Sequence, residues 1–265
     1  MGIALFSGLW AQTGPSLHIF FEQLAASTTE STRPSADEVR AASESIENET
    51  SVEIERAMPA IVRCVGHYDD QVKGYGAIAL FAIARRRDGG SLINPHARVI
   101  GQLLNLPEER FQRFAGLIFV NLRPVPVKEV VPEFLAYIKR TDSGAKIQPA
   151  IAGTLVLYAP NEPDVLETVT QFMLRPASKS TRIDTLNAVF RPDFRYDPII
   201  GIVVAALGDP DIEVRSAAIR GLSSMGKYAL GVAFLKLQKM AGDANEPDSV
   251  RSAAEEALKI YGAPR

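Results

Sequence analysis

The 265-residue chain is 46% hydrophobic and 23% charged, with a formal net charge of −2. That is the balance of an ordinary globular protein of one or two domains, or of a repeat array that needs no central core. So small a net charge gives no overall attraction to nucleic acid or an anionic membrane, and only a local basic patch could supply one. The single cysteine, Cys64, excludes an intramolecular disulfide. It lies in the apolar stretch AIVRCVG and reads as a small buried hydrophobe rather than a reactive thiol.

The chain opens on IALFSGLW, residues 3–10, followed by Ala11. An apolar run ending in a small residue matches the end of a secretory signal cut after Ala11, although a basic n-region is missing and Leu9 is large for its place. Residues 1–14 are therefore read as a signal remnant or a disordered start, and residues 15–262 as the folded domain. An exported location, periplasmic or secreted, is favoured over a cytoplasmic one. No other apolar run is long enough to span a bilayer.

From residue 16 onward the apolar spacing is helical. Leu17, Phe20, Phe21 and Leu24 fall at i, i+3, i+4 and i+7. Ser35 with Glu38, and Thr50 with Glu53, have the spacing of capping boxes. The second of these opens a helix that Pro59 should bend. His67-Tyr-Asp-Asp70 turns into a partner helix over residues 72–87, ended by Gly89-Gly90. Further pairs are expected over 94–104 and 107–121, 128–140 and 145–157, 163–174 and 178–190, 196–207 and 211–225, and 227–241 and 247–261. Connections at 123–126, 142–144, 191–193 and 208–210 carry Gly, Pro, Asp or Asn. No period-two alternation marks a strand.

The second helices align with one another. Their first core position reads Val39, Val72, Phe111, Ile147, Thr181, Val214 and Val250, in steps of 33, 39, 36, 34, 33 and 36 residues. Four residues later come Ser43, Gly76, Ala115, Ile151, Thr185, Ala218 and Ala254. Eight later come Glu47, Leu80, Phe119, Leu155, Val189, Leu222 and Leu258. Self-similarity at this period marks a helical repeat array. The fold expected is all-α, an α-α superhelix of about seven antiparallel helix pairs. Glu47 in a core place marks the first copy as divergent.

The segment DPDIEVRSAAIRGLSSM, residues 209–225, with Val250–Leu258 and less sharply residues 69–80, resembles the HEAT and HEAT-like repeats of the armadillo-like group. The resemblance implies that a turn acid and a basic residue opening the second helix hold turns and neighbouring repeats together. Asp209 and Asp211 with Arg215 match that pattern. Asp69 and Asp70 with Lys73 match it conservatively, and Arg251 with Asp248 loosely. Gln112 and Gln148 depart from it. Arg40 and Arg182 also occupy the basic place.

No reaction is legible. His18, His67 and His96 are isolated, without a second metal ligand at helical spacing. There is no nucleophile elbow and no phosphate-cradling glycine loop. Cys64 and His67 stand one turn apart with no third group to orient them. Gly74 and Gly76 read as close helix packing. Arg85, Arg86 and Arg87 form the densest basic run; they either complement the end of their helix or contact an anion or partner. The acids from Glu44 to Glu55 read as a solvated face. No catalytic, metal or cofactor site is assigned. The expected function is a non-enzymatic scaffold binding a protein or peptide on a concave face lined by the second helices. The alternative is a nucleic-acid-binding or DNA-repair-type enzyme on the same repeats.

Overall fold

The computed structural model describes residues 15–122, 128–140, 148–174, 178–190 and 197–262, and among these every regular element is helical. The possible signal at 1–11, the connections at 123–126, 142–144 and 191–193, and the core position Ile147 lie outside the described residues. The chain divides into two compact units, Met1–Glu133 and Phe134–Arg265.

In the first unit α1 (Leu17–Ala25) stacks on α3 (Ser51–Val65). Beside them α2 (Ala36–Ser45) stacks on α4 (Asp70–Ala84), which stacks on α7 (Glu109–Asn121). First helices thus meet first helices, and second helices meet second helices. The Ser35–Glu38 capping box forms in both directions, Glu38 N–H to Ser35 Oγ at 3.3 Å and Ser35 N–H to Glu38 Oε2 at 2.8 Å. At Thr50 only half of the expected box forms. Thr50 accepts from the Glu53 amide, but the Glu53 carboxylate accepts from the His18 amide at 3.4 Å, in the first turn of α1. An orphan donor of one helix is thereby met by the helix stacked on it.

The third pair departs from expectation. A continuous helix over 94–104 is replaced by α5 (Gly89–Ile93), a 3₁₀ turn at Asn94–His96, α6 (Ala97–Gly101) and a second 3₁₀ turn at Gln102–Asn105. Pro95 withholds a backbone donor at the break. Gly89 does not end α4, which stops at Ala84. A β-carbon at Gly89 would lie 2.2 Å from the Ile83 carbonyl oxygen, so glycine lets the chain fold back against that helix end. In α2 the expected core place of Glu47 is filled one residue earlier. Ile46 is fully buried and Glu47 is exposed, because the helix stops at Ser45.

α8 (Val131–Lys139) straddles the division between the units. In the second unit the second helices are α9 (Gln148–Tyr158), α11 (Lys179–Val189), α13 (Ile212–Met225) and α15 (Asp248–Gly262), each stacked on the next. The first helices α10 (Pro163–Leu174), α12 (Asp197–Ala206) and α14 (Lys227–Gly242) stack likewise. The large–small–large face is buried at all three positions in three copies: Val72, Gly76 and Leu80 in α4, Phe111, Ala115 and Phe119 in α7, and Val214, Ala218 and Leu222 in α13. Thr185 is fully buried, its hydroxyl donating to the Thr181 carbonyl at 2.7 Å. In α15 the seam shifts, with Ala257 buried and Leu258 half-buried. Glu255 is exposed at the place where Ala77, Leu186 and Ile219 are buried, a polar outer side for that helix.

Ala218 is fully buried and Arg220 exposed. Ala218→Leu should therefore overpack the seam and cost about 2 kcal/mol, while Arg220→Ala should stay within about 0.5 kcal/mol. Urea unfolding of both variants checks the contrast, and equal effects would mean that the repeat register is misplaced.

Candidate functional site

The inter-helix turns carry an ordered set of ion pairs. In the second unit Asp211 caps α13, accepting from the Glu213 amide at 2.9 Å. Asp209 accepts from the Asp211 amide at 2.8 Å and takes a bidentate contact from Arg182 at 2.8 and 3.1 Å. Arg215 donates to the Asp209 carbonyl at 2.9 Å and the Pro210 carbonyl at 3.1 Å, and reaches Glu246 in the next turn at 2.7 Å. Arg182 and Arg215 each tie their own helix to the turn of the following repeat. Arg251 contacts Asp248 within its own first turn.

In the first unit Asp69 caps α4 through the amides of Gln71 and Val72, at 2.8 and 3.2 Å. Its cross-repeat partner is Arg33, at 2.5 Å, which lies in the connection before α2. Arg40, the residue in the expected register, is exposed and only approaches Asp37 at 3.9 Å. Burial pushes the Asp69 carboxyl up, but the two amides and Arg33 outweigh it and hold the group below the ordinary aspartate value. Asp70 contacts Lys73 at 3.1 Å and Arg110 of the next second helix at 2.6 Å. Lys73 and Arg110 also lie over the Phe111 ring, 4.8 and 4.6 Å from its centroid.

Gln112 and Gln148 look like defects in the sequence pattern, yet Gln112 donates to the Leu106 carbonyl at 2.6 Å. Leu106 lies six residues upstream, the same offset at which Arg215 meets Asp209. The amide thus reproduces the backbone contact of the arginine without its charge.

The basic run is largely committed within the fold. Arg86 donates to the carbonyls of Ile46 and Glu47 at 2.6 and 3.3 Å, and to Asp88 at 2.9 Å. Arg85 stands 3.6 Å from Glu47. Arg87 is exposed and makes no ion pair among the described residues. The hydrogen bond from Arg86, helped by Ser51, holds the Asp88 carboxyl down at about 2. A depressed folded-state value means that Asp88 contributes its full stability above the unfolded value of about 3.9 and loses it as pH falls towards about 2. Acid titration should loosen the α2–α4 end in that window, and Asp88→Asn should abolish this step. Hydrogen exchange at the Arg86–Asp88 turn reads it out.

Burial pushes the Cys64 thiol up to about 12, which removes it as a nucleophile at neutral pH. Among the described residues no group of His, Cys, Asp and Glu is placed to hold a metal, and no helix is long and apolar enough to cross a membrane.

Two concavities have definite walls. A cavity of about 300 Å³ in the second unit is lined mainly by apolar groups, among them Met173, Ile202 and Val214, with Thr170 beside them. Arg182 and Asp209 also line it, and they are paired with each other. In the first unit a groove of about 500 Å³ runs along α7, lined by Glu109, Arg110, Arg113, Phe114 and Leu117.

The outward sides of the second helices differ between the units. On α4 that side carries Tyr75, Ile78 and Phe81, and on α7 it carries Arg110, Arg113, Phe114 and Leu117, all at least partly exposed. The spacing of three and four residues places each set on one helix face. Gly74 adds open space on α4, with nothing within 4 Å of where its β-carbon would be. In the second unit the exposed residues are polar along the helix middles, with apolar ones at helix ends: Asp184 and Asn187 on α11, Ile212, Glu213, Arg220 and Ser224 on α13, and Ser252, Glu256, Ile260 and Tyr261 on α15.

No protein-family model matches the sequence, and no curated protein matches it. Among solved structures the chain is similar to an engineered protein at 17% identity and a TM-score of 0.58, over 99% of this chain and 71% of the other. A designed armadillo repeat protein in complex with a (KR)4 peptide aligns at 15% identity and a TM-score of 0.44, over 93% of this chain and 100% of the other. A computationally designed armadillo repeat protein for modular peptide recognition aligns at 16% identity and a TM-score of 0.40, over 92% and 99%. Among the described residues the fold is an all-α array of helix pairs stacked repeat on repeat.

Proposed function

We propose that the chain is a non-enzymatic interaction scaffold that binds a protein or peptide segment along the outward face of its second helices. One observation carries this reading. α4 and α7 bury one face completely, yet keep Tyr75, Ile78, Phe81, Phe114 and Leu117 partly exposed on the other. An apolar stripe at helical spacing on a surface is the feature that marks interaction sites, and stacked second helices extend such a surface from repeat to repeat. The ionisable side chains nearby are drawn into turn and repeat contacts: Asp70 with Lys73 and Arg110, Asp69 with Arg33, and Asp88 with Arg86.

Affinity capture from the native organism, combined with cross-linking, tests the reading. The expected result is a protein cross-linked to second-helix residues and lost on Ile78→Asp, with the variant's helical content unchanged. Recovery of nucleic acid in place of protein, or of an activity that turns over a small molecule, would replace it.

A further inference from the structure

Resting on the scaffold reading, we infer that the α4–α7 face of the first unit takes an acidic-apolar peptide: a segment in which bulky aliphatic or aromatic side chains are flanked by carboxylates. The apolar part of the match is the stripe of Ile78 and Phe81 on α4 and Phe114 and Leu117 on α7, beside the open space at Gly74. The groove of about 500 Å³ along α7 has room for such anchor side chains.

The charge part of the match comes from Arg113. It is exposed, lines the groove beside Phe114 and Leu117, and makes no ion pair or hydrogen bond among the described residues. The neighbouring cations differ. Lys73 and Arg110 share Asp70. Arg110 is nevertheless half-exposed and lines the same groove, so a carboxylate bound to Arg113 lies within its field. Glu109 at the groove's edge is the opposing charge. A planar guanidinium next to an aromatic ring suits a carboxylate held bidentately while an apolar neighbour packs on the ring.

The same features argue against nucleic acid as the occupant. Backbone recognition needs several uncommitted cations following a phosphate track, and here Lys73, Arg85, Arg86 and Arg110 already face carboxylates. The second unit supplies the internal contrast. The middle stretches of α11 and α13 expose Asp184, Asn187, Arg220 and Ser224, with no large apolar side chain among them; the exposed apolar side chains of these second helices stand at helix ends, Ile212 on α13 and Ile260 and Tyr261 on α15.

The test uses the full chain and four labelled probes: a pool of short peptides alternating Asp or Glu with Leu or Phe, the same pool with Asn and Gln for the acids, the same pool with Lys, and a single-stranded oligonucleotide. Fluorescence anisotropy measures binding, and hydrogen exchange locates the footprint. The acidic-apolar pool should bind, with protection confined to α4 and α7. Arg113→Glu should weaken it about tenfold or more and improve the Lys pool, since a charge reversal acts on both partners of a matched pair. Phe114→Ala should weaken the acidic and the neutral pools alike, which separates the apolar from the charged contribution. Arg113 has no ion-pair or hydrogen-bond partner among the described residues, so its substitution should leave folding intact, and thermal unfolding of the variant checks this. Absence of binding by the acidic pool, preference for the Lys pool by the unmodified chain, or a footprint on α11, α13 or α15 would each overturn the inference while leaving a scaffold in place. Tight binding of the oligonucleotide to α4–α7 would overturn both readings.

Discussion

Gly76→Leu is expected to destabilise the first unit by about 3 kcal/mol, while Gly74→Ala, two residues earlier in the same helix, should stabilise it by about 0.5–1 kcal/mol. The opposite signs follow from what each α-carbon faces. A β-carbon at Gly76 would lie 2.8 Å from the Cys64 β-carbon, 3.0 Å from the Val65 backbone nitrogen and 3.1 Å from the Ile61 carbonyl oxygen. Two of those three atoms are α3 backbone and cannot swing aside, so a side chain there must push α3 and α4 apart. Close-packed interiors yield little, and the penalty of overpacking exceeds the gain in helix propensity. At Gly74 nothing lies within 4 Å, so only the propensity gain remains. Denaturant unfolding measures both changes. For Gly76→Leu, hydrogen exchange should show lost protection first in α3, α4 and α7. A neutral Gly76→Leu would mean that α3 and α4 separate freely and that the small residue of the seam is not a packing requirement.

These two glycines also show how much the sequence reveals. Periodicity made the seam legible: Val72, Gly76 and Leu80 sit at one repeat register with Val214, Ala218 and Leu222, and all are buried. The same pattern set Gly76 in the seam and Gly74 off it, yet both read as close helix packing, because only the position of a neighbouring backbone shows that Gly74 stands open. Nor could it find Arg33. A cation in an irregular connection has no register, and its pairing with Asp69 exists only once α2 is stacked on α4. Gln112 was hidden for another reason. Its contact is to a carbonyl, which any donor at that offset can reach, so residue type concealed a conserved geometry. The half-exposed stripe of Tyr75, Ile78, Phe81, Phe114 and Leu117 was harder still. Each is an ordinary helical apolar residue until the helices stacked around it show which side stays uncovered.

Asp209→Ala should cost about 3 kcal/mol, the second large effect expected. The substitution removes two things at once. One is the acceptor for the Asp211 amide at 2.8 Å, which shapes the turn leading into α13. The other is the bidentate partner of Arg182, at 2.8 and 3.1 Å. The Arg182 and Asp209 side chains are only 14% and 9% exposed. Removing one member therefore leaves a desolvated charge, and that penalty rather than the lost attraction dominates the cost. Three further variants separate the contributions. Asp209→Asn keeps a side-chain oxygen for the Asp211 amide while losing the charge, so it should retain the turn and lose the pair. Arg182→Met with the native Asp209 should be nearly as damaging as Asp209→Ala. The double variant Arg182→Met/Asp209→Leu should recover the part of the loss due to the buried charge, because an apolar pair of similar volume incurs no desolvation cost in that wall of the cavity, but not the part due to the lost acceptor of the Asp211 amide. Glu213, which pairs with Lys179 at 2.7 Å but in the open, is the comparison residue, and Glu213→Ala should change little. A double-mutant cycle between Arg182 and Asp209 gives the coupling directly. A coupling below about 0.5 kcal/mol would show that the cross-repeat arginines decorate the turns without holding the repeats in register.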